Sequence, residues 1–113
     1  MIYEVRDYHY RRDLWEEYKE WARTLAIPFL RDNLDVVGFW IEAGHEPEIG
    51  GSDPADARHG PANVTWIIRW PDKATRDREF RRVMGGEGWQ EIMARHPDQN
   101  GYLQTSARFL EQA

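Results

Sequence analysis

The order of elements in this 113-residue sequence predicts an α+β fold of the split β-α-β kind. Three observations carry that expectation. Four runs rich in β-branched and aromatic residues lie at 2–10, 36–41, 64–70 and 102–110. Stripes of apolar residues at helical spacing follow the first and third runs. A stretch dense in glycine and proline separates the second run from the third. The order β-α-β then β-α-β gives a ferredoxin-like four-stranded antiparallel sheet with its helices on one face.

Each element has its own signal. In the first run, Tyr3, Val5, Asp7 and His9 share one face, and Ile2, Glu4, Arg6 and Tyr8 share the other. Both faces mix apolar and polar groups, as expected of a central strand that meets a wet pocket on one side. Asp13 and Glu16 mark a helix start. Leu14, Tyr18, Trp21, Leu25 and Phe29, with Trp15, Ala22, Ala26 and Leu30 beside them, then make a wide apolar stripe. That helix spans about twenty residues, roughly 30 Å. Pro28 is expected to kink it or close its main body, and Asn33 to stop it.

Val36 to Ile41 reads as the second strand and Val64 to Trp70 as the third. The long loop at 43–61 contains Gly44, Pro47, Gly50, Gly51, Pro54, Gly60 and Pro61. Pro71 and Asp72 end the third strand and open a helix over 73–84, with Phe80, Val83 and Met84 inward. Gly85, Gly86 and Gly88 interrupt it before a short helix carrying Trp89, Ile92 and Met93, and residues 102–110 form the last strand. Right-handed crossovers place the first and third strands side by side in the centre. One sheet face then lies under the helices. The other is bare and greasy, and a second copy of the chain is its expected cover, as a two-fold homodimer.

Composition narrows the partners. Fifteen basic against twenty acidic residues leave a net charge of −5, which argues against nucleic acid and anionic membrane surfaces. The cations are nearly all arginine, which fits a high-GC genome or, in functional terms, a subunit contact or an anion-binding pocket. The absence of cysteine excludes disulfides, thiolate catalysis and Cys-ligated metal. No apolar stretch approaches the ~20 residues of a membrane span. The chain opens on strand-like residues without a leader, so the expected location is cytoplasmic.

Several segments carry a family resemblance. Ile2-Tyr3-Glu4-Val5-Arg6-Asp7-Tyr8 resembles the opening motif of NIPSNAP-like proteins, and Val37-Gly38-Phe39-Trp40 their second strand. Ile68-Arg69-Trp70 with Arg76 is similar to the third strand and the arginine that follows it. Gly88-Trp89-Gln90-Glu91 and Ser106-Ala107-Arg108-Phe109-Leu110 resemble the later motifs. The resemblance implies a single dimeric α/β-barrel domain over 1–113, in which two sheets face each other. That superfamily includes cofactor-independent monooxygenases, isomerases, polyketide cyclases and haem-degrading enzymes, with ligand sites between sheet and helices. The chain departs from the family pattern in two places. Trp66 stands where the third strand often has a histidine, and the 43–61 loop is longer.

The residues themselves offer several candidates. Glu4 and Arg6 share a strand face. They form either an internal ion pair or dimer contact, or a site in which Arg6 holds a carboxylate or enolate and Glu4 acts as base. Asp7 and His9 pair on the opposite face, with a surface position expected for His9. Tyr3, Tyr8, Trp40 and Trp66 are core or interface aromatics that could equally stack on a planar ligand. Trp15 and Trp21 are expected to face the cleft from the first helix, with the Tyr18 phenol beside them as a donor to an oxyanion. His45, Glu46, Glu48, Asp53, Asp56 and His59 crowd the long loop without the spacing of a metal site, so no metal is expected there. His96 is expected to close the short helix as an imidazolium.

Two functions follow from these residues. One is a non-catalytic homodimer that binds a small ligand, with Tyr8, Trp15, Trp21, Trp40 and Trp66 around it. The other is a cofactor-independent enzyme acting on an aromatic or polyketide-like molecule, with Glu4, Arg6 and Tyr18 as its catalytic groups. Neither requires a cofactor.

Overall fold

The computed structural model describes residues 1–54 and 58–113. Four strands, β1 (Ile2–Tyr10), β2 (Val36–Ile41), β3 (Val64–Trp70) and β4 (Tyr102–Leu110), form one antiparallel sheet in the order β2-β3-β1-β4. The first and third strands are central, as the crossover rule requires. The sheet and its one layer of helices make a slab 42 × 37 × 20 Å. No helix among the described residues is long and apolar enough to cross a membrane.

The first helical stretch runs unbroken from Arg12 to Asn33, but in four parts. A 3₁₀ turn (Arg12–Leu14) leads into α1 (Trp15–Trp21), a π-helical segment (Ala22–Ala26) and α2 (Ile27–Asn33). Pro28 does not end the helix. It lies in the first turn of α2, where its missing N–H and fixed φ cost least. The wider turn before it absorbs the change of register, with the Ile27 N–H bonding to the Ala22 carbonyl. Asn33 closes the helix, its side-chain amide donating to the Phe29 carbonyl at 2.8 Å.

In the second half, α3 (Lys73–Met84) starts where the Asp72 carboxylate accepts the Thr75 N–H at 2.7 Å. The glycines at 85, 86 and 88 separate it from α4 (Glu87–Met93), and a 3₁₀ turn (Gln99–Gly101) leads into β4. The segment between β2 and β3 contains no helix or strand among its described residues, and Gly44, Gly51 and Gly60 turn it at positive φ. Asn63 anchors its far end. Its amide donates to the Tyr10 carbonyl and accepts from the Tyr10 N–H, both at 2.9 Å, in place of a further rung of the ladder.

Pairing registers set the two faces. Val64, Trp66, Ile68 and Trp70 of β3 all point under the helices and are buried. On β1, Glu4, Arg6 and Tyr8 lie opposite Ile68, Trp66 and Val64, and so share that face. Tyr3, Val5, Asp7 and His9 line the open face with Thr65, Ile67 and Arg69. The buried core divides into two groups. Tyr10, Tyr18, Trp21, Ala22, Ala26 and Val64 form one; Leu30, Leu34, Trp66, Ile68, Trp70 and Val83 form the other. Each fully buried large side chain contributes about 1.5–3 kcal/mol of transfer free energy. Between the two groups the packing opens.

Candidate functional site

That opening is a cavity of about 280 Å³ between the helix-facing side of the sheet and the helices. Arg6 and Tyr8 of β1, Trp66 of β3 and Phe39 of β2 form its floor. Tyr18 and Trp21 of α1, with Ala26 and Leu30, form the roof. Phe80 and Met84 of α3 and Trp89 and Met93 of α4 close one side, and Tyr102 and Thr105 of β4 the other. Thr105 is an exposed member of this wall, so the mouth opens toward the β4 edge.

The polar part of the wall begins at Glu4, which is fully buried. Its carboxylate accepts from Arg6 Nη1 at 2.7 Å, Arg76 Nη2 at 2.7 Å, Arg76 Nε at 2.9 Å and Trp70 Nε1 at 3.0 Å. Burial pushes the carboxyl pKa up, but the hydrogen bonds from Arg76 and Arg6 outweigh it and hold the group below its usual value. A carboxylate with four donors already on it has no free lone pair to take a substrate proton. Of the two arrangements the sequence offered for Glu4, this geometry has the form of the internal ion pair. Glu4 orients Arg6, which itself reaches the cavity.

Arg6 is held flat among aromatic rings, its guanidinium carbon 5.0 Å from the centre of Phe80, 5.7 Å from Tyr8 and 5.9 Å from Trp66. Its Nε donates to the Tyr8 hydroxyl at 2.8 Å. Trp66 Nε1 donates to the same oxygen at 2.9 Å. Tyr8 thus accepts twice, and its own proton is directed elsewhere.

A second set of phenols lies across the cavity. Tyr18 stacks on Tyr10 with ring centres 4.3 Å apart and meets Tyr102 edge-on at 5.9 Å. Burial raises the Tyr18 pKa well above that of a free phenol, offset in part by a hydrogen bond with Tyr102. Burial raises Tyr102 further still. Both remain protonated donors near neutral pH. Behind them, His96 Nδ1 accepts the Asp98 N–H at 3.0 Å, which leaves Nε2 to donate to the Tyr102 hydroxyl at 2.8 Å. Burial lowers the His96 pKa to about 4. The ring packs against Trp21 at 4.3 Å and is neutral, so the expected imidazolium at the helix end is corrected.

The structure brings Arg6, Tyr8, Tyr18, Trp21 and Trp66 together around one space, with Glu4 directly behind. It does not bring in Trp15 or Trp40. Trp15 lies outside the cavity wall, stacked on Tyr18 at 5.8 Å with Lys19 over it. Trp40 pairs with Thr65, so it points to the open face, where it is 51% exposed and lies over Gly38. Tyr3 shares that face. Of the Asp7–His9 pair, Asp7 accepts instead from the Thr65 hydroxyl at 2.6 Å, and His9 is half-buried, its ring 6.3 Å from that of His59. Among the described residues no three potential metal ligands come together; Asp56 lies outside them.

Sequence reasoning missed Tyr102 and Thr105 as cavity residues. They are three apart, which strict alternation puts on opposite faces. A register shift between His9 and Tyr10 lets Tyr102 pair with Tyr10 and Thr105 with Tyr8, so both reach the same side. Phe80 and Met84 were legible only as inward-facing residues, and Trp89 and Met93 only as apolar residues of the short helix.

Fold and cavity together define a ferredoxin-like α+β domain with an aromatic cleft between sheet and helices. Solved structures of NIPSNAP proteins share this fold along the whole chain. An uncharacterised NIPSNAP domain protein from Burkholderia xenovorans superposes with a TM-score of 0.73 at 17% identity, covering 100% of this chain and 95% of that one. A NIPSNAP family protein from Agrobacterium tumefaciens gives 0.74 at 18% identity, covering 99% and 85%. Another from the same organism, described as having unknown function, gives 0.74 at 16%, covering 100% and 88%. No family model matches the sequence, and no curated protein matches it.

Proposed function

We propose that this chain is a NIPSNAP-like cytoplasmic homodimer in which the cleft of each copy binds a compact aromatic molecule. The observation that carries the reading is the cavity itself: aromatic faces on most sides and a few hydrogen-bonding groups, Arg6, Tyr8 and Tyr18, on the wall. Dimerisation is supported by the open sheet face, which carries the exposed side chains of Trp40 and Leu110 on a slab that has helices on its other side.

A second reading is a cofactor-independent enzyme of the monooxygenase, cyclase or isomerase kind. It is favoured by the phenols of Tyr102, which bonds to His96, and Tyr18 beside it, which as buried protonated donors can stabilise charge developing on a carbonyl oxygen. In that reading Tyr18 and Arg6 touch the reacting molecule and Glu4 holds Arg6.

A mouth-blocking variant tests the ligand site. Thr105→Trp adds a ring at the exposed rim without entering the core. In a thermal-shift screen of small aromatic compounds, the unmodified protein gains melting temperature. The Thr105→Trp protein melts normally and gains nothing. Equal gains in both proteins would place binding elsewhere.

A further inference from the structure

The two arginines beside the cavity outnumber their carboxylate. Glu4 is the buried partner of both Arg6 and Arg76. Asp77 also touches Arg76, at 3.2 Å, but Asp77 is itself paired with Lys73 at 2.6 Å. Summed over Glu4, Asp77, Arg6, Arg76 and Lys73, the cluster carries one positive charge in excess.

The unused donors of that cluster belong to Arg6 and Tyr8, which line the cavity. Arg6 spends Nη1 on Glu4 and Nε on Tyr8, and Nη2 has no partner among the described residues. The Tyr8 oxygen already accepts two hydrogen bonds, and its own proton has no acceptor among the described residues. A surplus cation in an aromatic setting, with its side chain only 18% exposed, is costly unless an anion meets it.

We propose that the ligand is a planar aromatic carboxylate, its anionic group held by Arg6 Nη2 and the Tyr8 hydroxyl and its ring among the aromatic walls. This rests on the reading of the cleft as a ligand site. A carboxylate offers acceptors to a guanidinium and a phenol at once, and charge-assisted bonds of that kind are about twice as strong as neutral ones. The ring would lie between Phe39, which stacks with Trp66 at 5.8 Å, and the Trp21–Trp89 pair at 6.1 Å.

The test compares 2-naphthoate with 2-naphthamide, which share a shape and differ in charge, by titration calorimetry at neutral pH. The acid should bind at least about tenfold more tightly than the amide. Arg6→Gln, checked for a normal melt, should bring the two within about threefold of each other, by loss of acid binding alone. If that variant fails to fold, the acid-to-amide ratio on the unmodified protein decides. Equal binding of the two probes overturns the carboxylate and leaves the ligand site standing. Failure of both probes to bind overturns both.

Discussion

Glu4 shows how a residue two positions from another on a strand acquires meaning only through a third. The Glu4–Arg6 pair was legible from spacing alone. Arg76, seventy-two residues away, turns the pair into a triad and occupies the lone pairs a base would need. Removing the charge leaves two arginines facing one neutral amide. Glu4→Gln is therefore expected to destabilise the protein by about 3 kcal/mol, read from urea unfolding. Because the folded pKa lies below the unfolded value of 4.5, this contribution is present above that pH and fades as pH falls through the folded pKa. The variant should lose that part of the acid limb.

His96 behaves in a different window. Its pKa is about 4 in the folded chain against 6.5 unfolded. Between those values the unfolded chain binds more protons, so stability falls as pH drops from 6.5 toward 4 and is level above. His96→Gln should flatten the urea midpoint across that window.

At the scale of elements, the limits of β3 and α3 were readable because Pro71 and Asp72 end the strand and open the helix, and Gly85 and Gly86 end the helix. What was not readable was parity. Apolar residues occupy both sides of β2, so alternation alone does not say whether Phe39 or Trp40 enters the cleft. The shift between Val36 and Gly38 places Val36 opposite Ile68 and Phe39 opposite Trp66, and so gives the cleft to Phe39. The π turn at Ala22–Ala26 is of the same kind: Pro28 signals an interruption, but only packing decides that the helix continues. Asn63 joins the long segment to this frame. It is 4% exposed and its amide closes two backbone bonds to Tyr10. Asn63→Ala is expected to cost about 1–3 kcal/mol in urea unfolding and to raise hydrogen exchange at the Tyr10 amide.

For the whole molecule, the proposed pairing of two open faces places Trp40 at the centre of the argument. Its indole covers Gly38 so closely that a Cβ there would meet the ring at 2.4 Å. A charge at that position on a desolvated face costs several kcal/mol. Trp40→Glu should therefore sediment at half the mass of the unmodified protein, with helix content unchanged. A single species of the chain mass for both proteins contradicts the homodimer.

The central claim, that the cleft between sheet and helices is where a small aromatic molecule binds, can be read from the indole N–H signals of the six tryptophans in a nitrogen-edited NMR spectrum. Adding 2-naphthoate should move the signals of Trp21, Trp66 and Trp89, which line the cavity, and leave Trp40 in place. Movement of Trp40 with the three cavity signals unchanged would contradict the account.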